Sequence, residues 1–135
     1  MSLSTLKGSS RPAAQAGRFY DDHPDQLRKQ IEAMMSEQKD VLTGITPIGL
    51  LSPHAGYPYS GRVAAAAYRV IQGRPVTHVL ILAPSHYGDF IGAALPSEAS
   101  FTTPLGKVPV DQKAVAALLD QADIIINDSV HSAEH

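Results

Sequence analysis

A chain of 135 residues, 44% hydrophobic and 18% charged, can remove roughly two-thirds of its unfolded surface from water and lies outside the weakly hydrophobic, highly charged range of disordered chains. Eleven Lys and Arg against 13 Asp and Glu give a formal charge of -2, too balanced for the basic field that nucleic acids and anionic membranes select. Without cysteine there are no disulfides or thiolate metal sites, so any metal must use His or carboxylates; no apolar run could span a bilayer and no secretory leader pattern opens the chain, which reads as cytoplasmic.

Residues 1–10, rich in Ser and Gly, are expected to be a flexible lead-in, and residues 11–135 one domain. Leu27, Ile31, Met34 and Met35 recur at helical spacing and predict an amphipathic helix over 25–38, capped by Asp22 or Asp25. Thr43-Gly44 breaks it. Ile45 to Leu51 is a short apolar run of the kind that becomes a buried strand, and it leads into Ser52-Pro53-His54. An Ala-rich helix opening at Ser60 or Gly61 is expected to run to Ile71 and end at Gly73. Val76 to Ala83 (VTHVLILA), β-branched and apolar on both faces, predicts a central parallel strand that ends at Pro84-Ser85-His86. Beyond it come a strand over 91–95, a turn at Thr103 to Gly106, a helix capped by Asp111 and running to Leu119, and a strand over 123–126. This alternation implies an α/β layered, mostly parallel sheet flanked by helices. The chain finishes at His131 to His135 just after a strand, which reads as a truncation within a domain. A half-sheet with an open edge is expected to pair with another copy, giving a homo-oligomer.

The chemistry gathers in two loops. Both PHAGYPYSG (Pro53 to Gly61) and APSHYGDF (Ala83 to Phe90) set a Pro-flanked His just after an apolar run, where open α/β sheets bind ligands. One crossover unit apart, His54 and His86 could converge on one ion at about 2.0–2.2 Å, or each could only cap a strand end. Tyr57, Tyr59 and Tyr87 surround these loops, able to orient substrate or donate a proton, or merely to roof a pocket. Gly56 permits close backbone approach. Ser52, Ser60 and Ser85 lack the GxSxG elbow of a serine hydrolase, and neither the Walker nor the GxGxxG pattern of a nucleotide site occurs. His78 reads as a core or cross-strand residue and His23 as a solvated one. His131 and His135 are four apart with Glu134 between them, which is not the HExxH order of zinc proteases.

Taken together, Ala16-Gly17-Arg18-Phe19-Tyr20, PHAGYPYSG, Pro84-Ser85-His86, Thr103-Pro104-Leu105-Gly106 with Asp111, and the closing HSAEH resemble the Memo family, which is similar in fold to the class III extradiol non-haem iron dioxygenases. The resemblance implies that His54 and His86 are metal ligands and His135 an active-site histidine; the loops themselves add Tyr57 as a further catalytic candidate and Tyr59, Tyr87, Ser85 and Gly56 as a substrate pocket. It implies Fe(II), with Zn or Cu as alternatives, a third ligand in a C-terminal half outside these residues, and an oxidoreductase acting on a small molecule such as an aromatic diol. Memo-like proteins can also act in signalling, so the alternative is a metal-independent cleft that binds peptides.

Overall fold

The computed structural model describes residues 8–39 and 46–135, and they fall into two compact units, Ala16–Leu82 and a second made of the N-terminal segment through Gln15 with Ala83–His135. Ile45 and the Thr43-Gly44 break lie outside the described residues, as does most of the lead-in.

The unit Ala16–Leu82 is a helix pair. Helix α1 (Pro24–Ser36) starts at a proline whose fixed φ suits a first turn, and Asp25 complements the positive end of the helix. Neither Asp22 nor Asp25 caps it. The N-cap is His23, without a side-chain cap bond, and the carboxylate of Asp21 instead accepts the His23 backbone N–H at 2.8 Å. Leu27, on the apolar stripe, is only 3% exposed. Helix α2 (Tyr57–Arg69) begins three residues earlier than the Ala-rich pattern indicates, because Gly56 and Pro58 form a competent start. Its small residues let α1 come close: a Cβ on Gly61 would lie 2.6 Å from Met34 Sδ, and Ala65 is buried. Gly73, at φ +75°, turns the chain away after α2.

The two apolar strands expected over 45–51 and 76–83 are not formed among the described residues: the chain there joins no ladder, and Leu51, Leu80, Ile81 and Leu82 are exposed. A strand apolar on both faces is buried only when it has strands on its edges and layers above and below. Among its described residues the unit Ala16–Leu82 supplies two helices and no strand.

The other unit carries all the sheet structure of the described residues. Strand β1 (Ser10–Arg11) runs parallel to β3 (Ser100–Thr103), which pairs antiparallel with β4 (Gly106–Pro109) across the expected turn. The Ser9 carbonyl accepts from Ala99 N–H at 2.9 Å, so the end of the expected lead-in is tied to the sheet. Strand β2 (Ala93–Leu95) runs parallel to β5 (Ile124–Ile126), with Ala93 opposite Ile124. Between β4 and β5, helix α3 (Gln112–Leu118) is capped as expected: Asp111 Oδ1 accepts the N–H groups of Lys113 and Ala114, both at 3.0 Å. Helix α4 (Asp128–His131) follows β5 directly and is anchored to the end of β2 by Asp128, which accepts the Ser97 N–H at 2.7 Å and the Ser97 hydroxyl at 2.6 Å. The fold is mixed α/β. Among the described residues, two small sheets with two parallel pairings and one antiparallel replace the single layered sheet expected.

Candidate functional site

The first histidine loop is braced by the AGRFY segment. Gly17 at φ +78° lets that segment fold back, its N–H donating to the Tyr20 carbonyl at 2.8 Å. The Phe19 carbonyl, now facing α2, accepts the Tyr57 N–H at 2.7 Å and so satisfies one of the orphan donors of the first helical turn. This fit needs Gly56, since a Cβ there would come within 3.3 Å of Phe19 O and 3.4 Å of Phe19 Cα. The Ser60 hydroxyl donates to the Ala55 carbonyl at 2.9 Å and closes the loop after His54. PHAGYPYSG is thus a rigid mount for His54, built from two glycines, a first-turn proline and a serine tether.

Tyr57 packs its ring on Tyr20, centroids 5.7 Å apart at 45°. Burial, and then the neighbouring Tyr20 and Tyr68 phenols, push its pKa above the ordinary 10.0. Tyr57 therefore stays a neutral phenol, able to donate a hydrogen bond. Because the folded value lies above the unfolded one, its contribution to stability is complete below pH 10 and is lost as pH rises through the raised value. A spectroscopic alkaline titration is expected to resolve a late phenol that Tyr57→Phe removes; an unchanged titration curve in that variant would disprove the assignment. Tyr59, by contrast, is 88% exposed.

The second loop belongs to the other unit. The Ser85 hydroxyl donates to the Gly88 carbonyl at 2.8 Å, so this serine closes the turn. Gly88 sits against α4, where a Cβ would lie 2.6 Å from Val130 Cγ1. His86 is held from two sides by one carboxylate: Glu134 Oε1 accepts its backbone N–H at 2.5 Å and Oε2 pairs with its ring Nδ1 at 2.8 Å. Tyr87 stands edge-on to the His86 ring at 6.5 Å and is half exposed. His135 lies beside His86, ring centroids 4.9 Å apart at 44°, with its Nδ1 3.8 Å from Glu134 Oε2.

Burial of Glu134 raises its pKa, but the bonds from the His86 N–H and ring, with the nearby His86 and His135 charges, outweigh it and hold the carboxyl below the ordinary range. The structure therefore brings His86 and His135 together around an ionised carboxylate, while His54, Tyr57, Tyr59 and Gly56 belong to the other unit. Glu134 is 48 residues from His86, and no local pattern in the sequence joins them.

The remaining histidines are peripheral. His131 Nε2 donates to the Ala94 carbonyl at 3.0 Å, and α4 stops at His131, so His131 and His135 do not share a helical face. His78 is exposed beside Thr77 rather than in a core. His23 is solvated as expected. No helix among the described residues is long and apolar enough to cross a membrane.

A family profile described as Memo-like protein matches residues 11–135. Relatives include a MEMO1 family protein of Methanothermobacter thermautotrophicus, 38% identical over 93% of this chain and 48% of the relative. One of Methanopyrus kandleri is 36% identical over 93% and 47%, and one of a Thermotoga species 38% over 93% and 49%. The chain spans about half the length of these curated relatives.

Proposed function

We propose a function on the footing that this chain belongs to the Memo family: it is the part of a divalent-metal oxidoreductase, of the class III extradiol dioxygenase type in fold and chemistry, that supplies two histidine ligands. His54 and His86 are the ligands, as the two family motifs imply, with Fe(II) as the first choice and Zn or Cu as alternatives. The observation that carries this reading is the pairing of His86 Nδ1 with Glu134 at 2.8 Å, since metal-bound histidines characteristically give their second ring nitrogen to a carboxylate.

The donor set is imidazole without thiolate, which suits iron, zinc or copper. Bound Fe(II) would supply Lewis acidity and open positions for a small-molecule substrate, an aromatic diol by class, and O₂. Around it the chain's own residues bind and orient. His135, beside His86, takes and returns a substrate proton at its ring. Tyr57, held neutral, donates a hydrogen bond, and Tyr59, Tyr87, Ser85 and Gly56 shape the loops around the substrate. A cytoplasmic location and association between copies belong to the same reading.

Metal affinity measured anaerobically for the wild type, His54→Ala and His86→Ala tests it. In a chain extended through the C-terminal half that carries the third ligand, about one ion is expected, with either substitution weakening affinity by more than ~100-fold, beyond what loss of a supporting residue causes. If neither substitution changes the affinity, or the protein takes no metal and binds peptides instead, the ligand assignment is wrong and the cleft is a recognition surface.

A further inference from the structure

We propose that Glu134 is the positioning residue of this site: its carboxylate holds the His86 backbone N–H and ring Nδ1–H at once, and thereby selects the tautomer that leaves the lone pair on Nε2. The geometry of this contact is independent of the metal reading; only its consequence for metal affinity rests on that reading. An ionised carboxylate only accepts hydrogen bonds. At 2.8 Å from Oε2, His86 Nδ1 must therefore carry a proton, and in the neutral tautomer the lone pair lies on Nε2. The second contact, from the His86 N–H to Oε1, fixes the ring relative to its own backbone, so one side chain sets both rotamer and tautomer.

Glu134 is itself built in. Its side chain is only 13% exposed, and two side chains from the start of the chain hold its main chain. Arg11 Nη2 donates to the Glu134 carbonyl at 2.9 Å, and Gln15 Nε2 donates to the Ala133 carbonyl at 2.7 Å. The Arg11 guanidinium lies over the Phe101 ring at 4.4 Å, fixed by the parallel pairing of Arg11 with Phe101 in β1 and β3. Gln15 is 4% exposed. On the other side, the anchored helix α4 delivers the same segment. The carboxylate is thus approached by two hydrogen bonds and supported by two more, an arrangement a solvated surface glutamate does not have.

Long-range nitrogen–proton NMR of the histidine rings, on metal-free protein at neutral pH, reads the tautomer directly. His131 is an internal reference, because its Nε2 donates to the Ala94 carbonyl and must carry the proton there. Wild-type His86 is expected in the Nδ1–H form and to leave it in Glu134→Ala, while His131 stays unchanged. Glu134→Gln, which keeps a carbonyl able to accept from Nδ1–H, is the second variant should Ala not fold, and is expected to retain the tautomer in part.

Metal affinity should fall ~10–100-fold in Glu134→Ala. An Nε2–H ring in the wild type, or an Nδ1–H ring that survives Glu134→Ala, overturns the proposal whatever the metal does. The expected tautomers in a protein that takes no metal would sustain the role of Glu134 and sink the metal reading instead.

Discussion

Gly92→Ala is expected to lower the melting temperature by about 10 °C, the largest effect of any single methyl in the described structure. Gly92 has φ +85°, and a Cβ there would lie 1.8 Å from the Asp123 carbonyl oxygen and 2.6 Å from Asp123 Cβ. The first is backbone and cannot swing aside. It also accepts the Ala93 N–H at 2.8 Å, the bond that opens the β2–β5 pairing. Asp123 has little room to retreat, being itself at φ 63°. The strained φ alone costs about 1 kcal/mol or more in a residue with a Cβ, and breaking the pairing brings the total to about 3 kcal/mol. Gly73→Ala is the control. Gly73 also has positive φ but nothing within 4 Å of its missing Cβ, so it bears the backbone term alone. Thermal melting of the two variants separates the contributions; equal shifts would mean that the contact at Asp123 relaxes and the β2–β5 start is pliable.

Asp128→Ala should cost about 2–4 kcal/mol. Ser97 is 1% exposed and gives both its donors to this carboxylate, N–H to Oδ1 at 2.7 Å and hydroxyl to Oδ2 at 2.6 Å. Alanine strands two buried donors at once, which is worse than removing both partners together. Asp128→Asn keeps one acceptor for the N–H, and the Ser97 hydroxyl can rotate to accept from the amide, so its loss should be under about half as large. Chemical denaturation of both variants would decide the matter: if Asn costs as much as Ala, charge and not hydrogen-bond satisfaction holds the β2–α4 junction. Because α4 carries the chain to Glu134 and His135, the alanine variant should also loosen the hold on His86.

The elements that could be read in the sequence are those whose stability is local. Helix α1 follows from the spacing of Leu27, Ile31, Met34 and Met35, α3 from Asp111 as a cap, and β2 and β5 from short apolar runs. The early start of α2 was less legible, because Gly56 and Pro58 look like loop residues until the Phe19 carbonyl is there to receive the Tyr57 N–H. The runs 46–51 and 76–83 mislead for the opposite reason: their composition describes a buried strand, but burial needs neighbouring layers that the described residues of the unit Ala16–Leu82 do not provide.

By itself the sequence determined the class of the chain, its family and the two loops that carry histidine, since composition, capping residues and motifs such as PHAGYPYSG are properties of consecutive residues. Only the tertiary structure decided that Glu134 reaches His86 across 48 residues, that Arg11 and Gln15 hold Glu134 in place from the far end of the chain, and that Ser85 closes a turn. Hydrogen bonds between distant residues have no sequence period, and the partner of a side chain is fixed only when folding brings the two within about 3 Å.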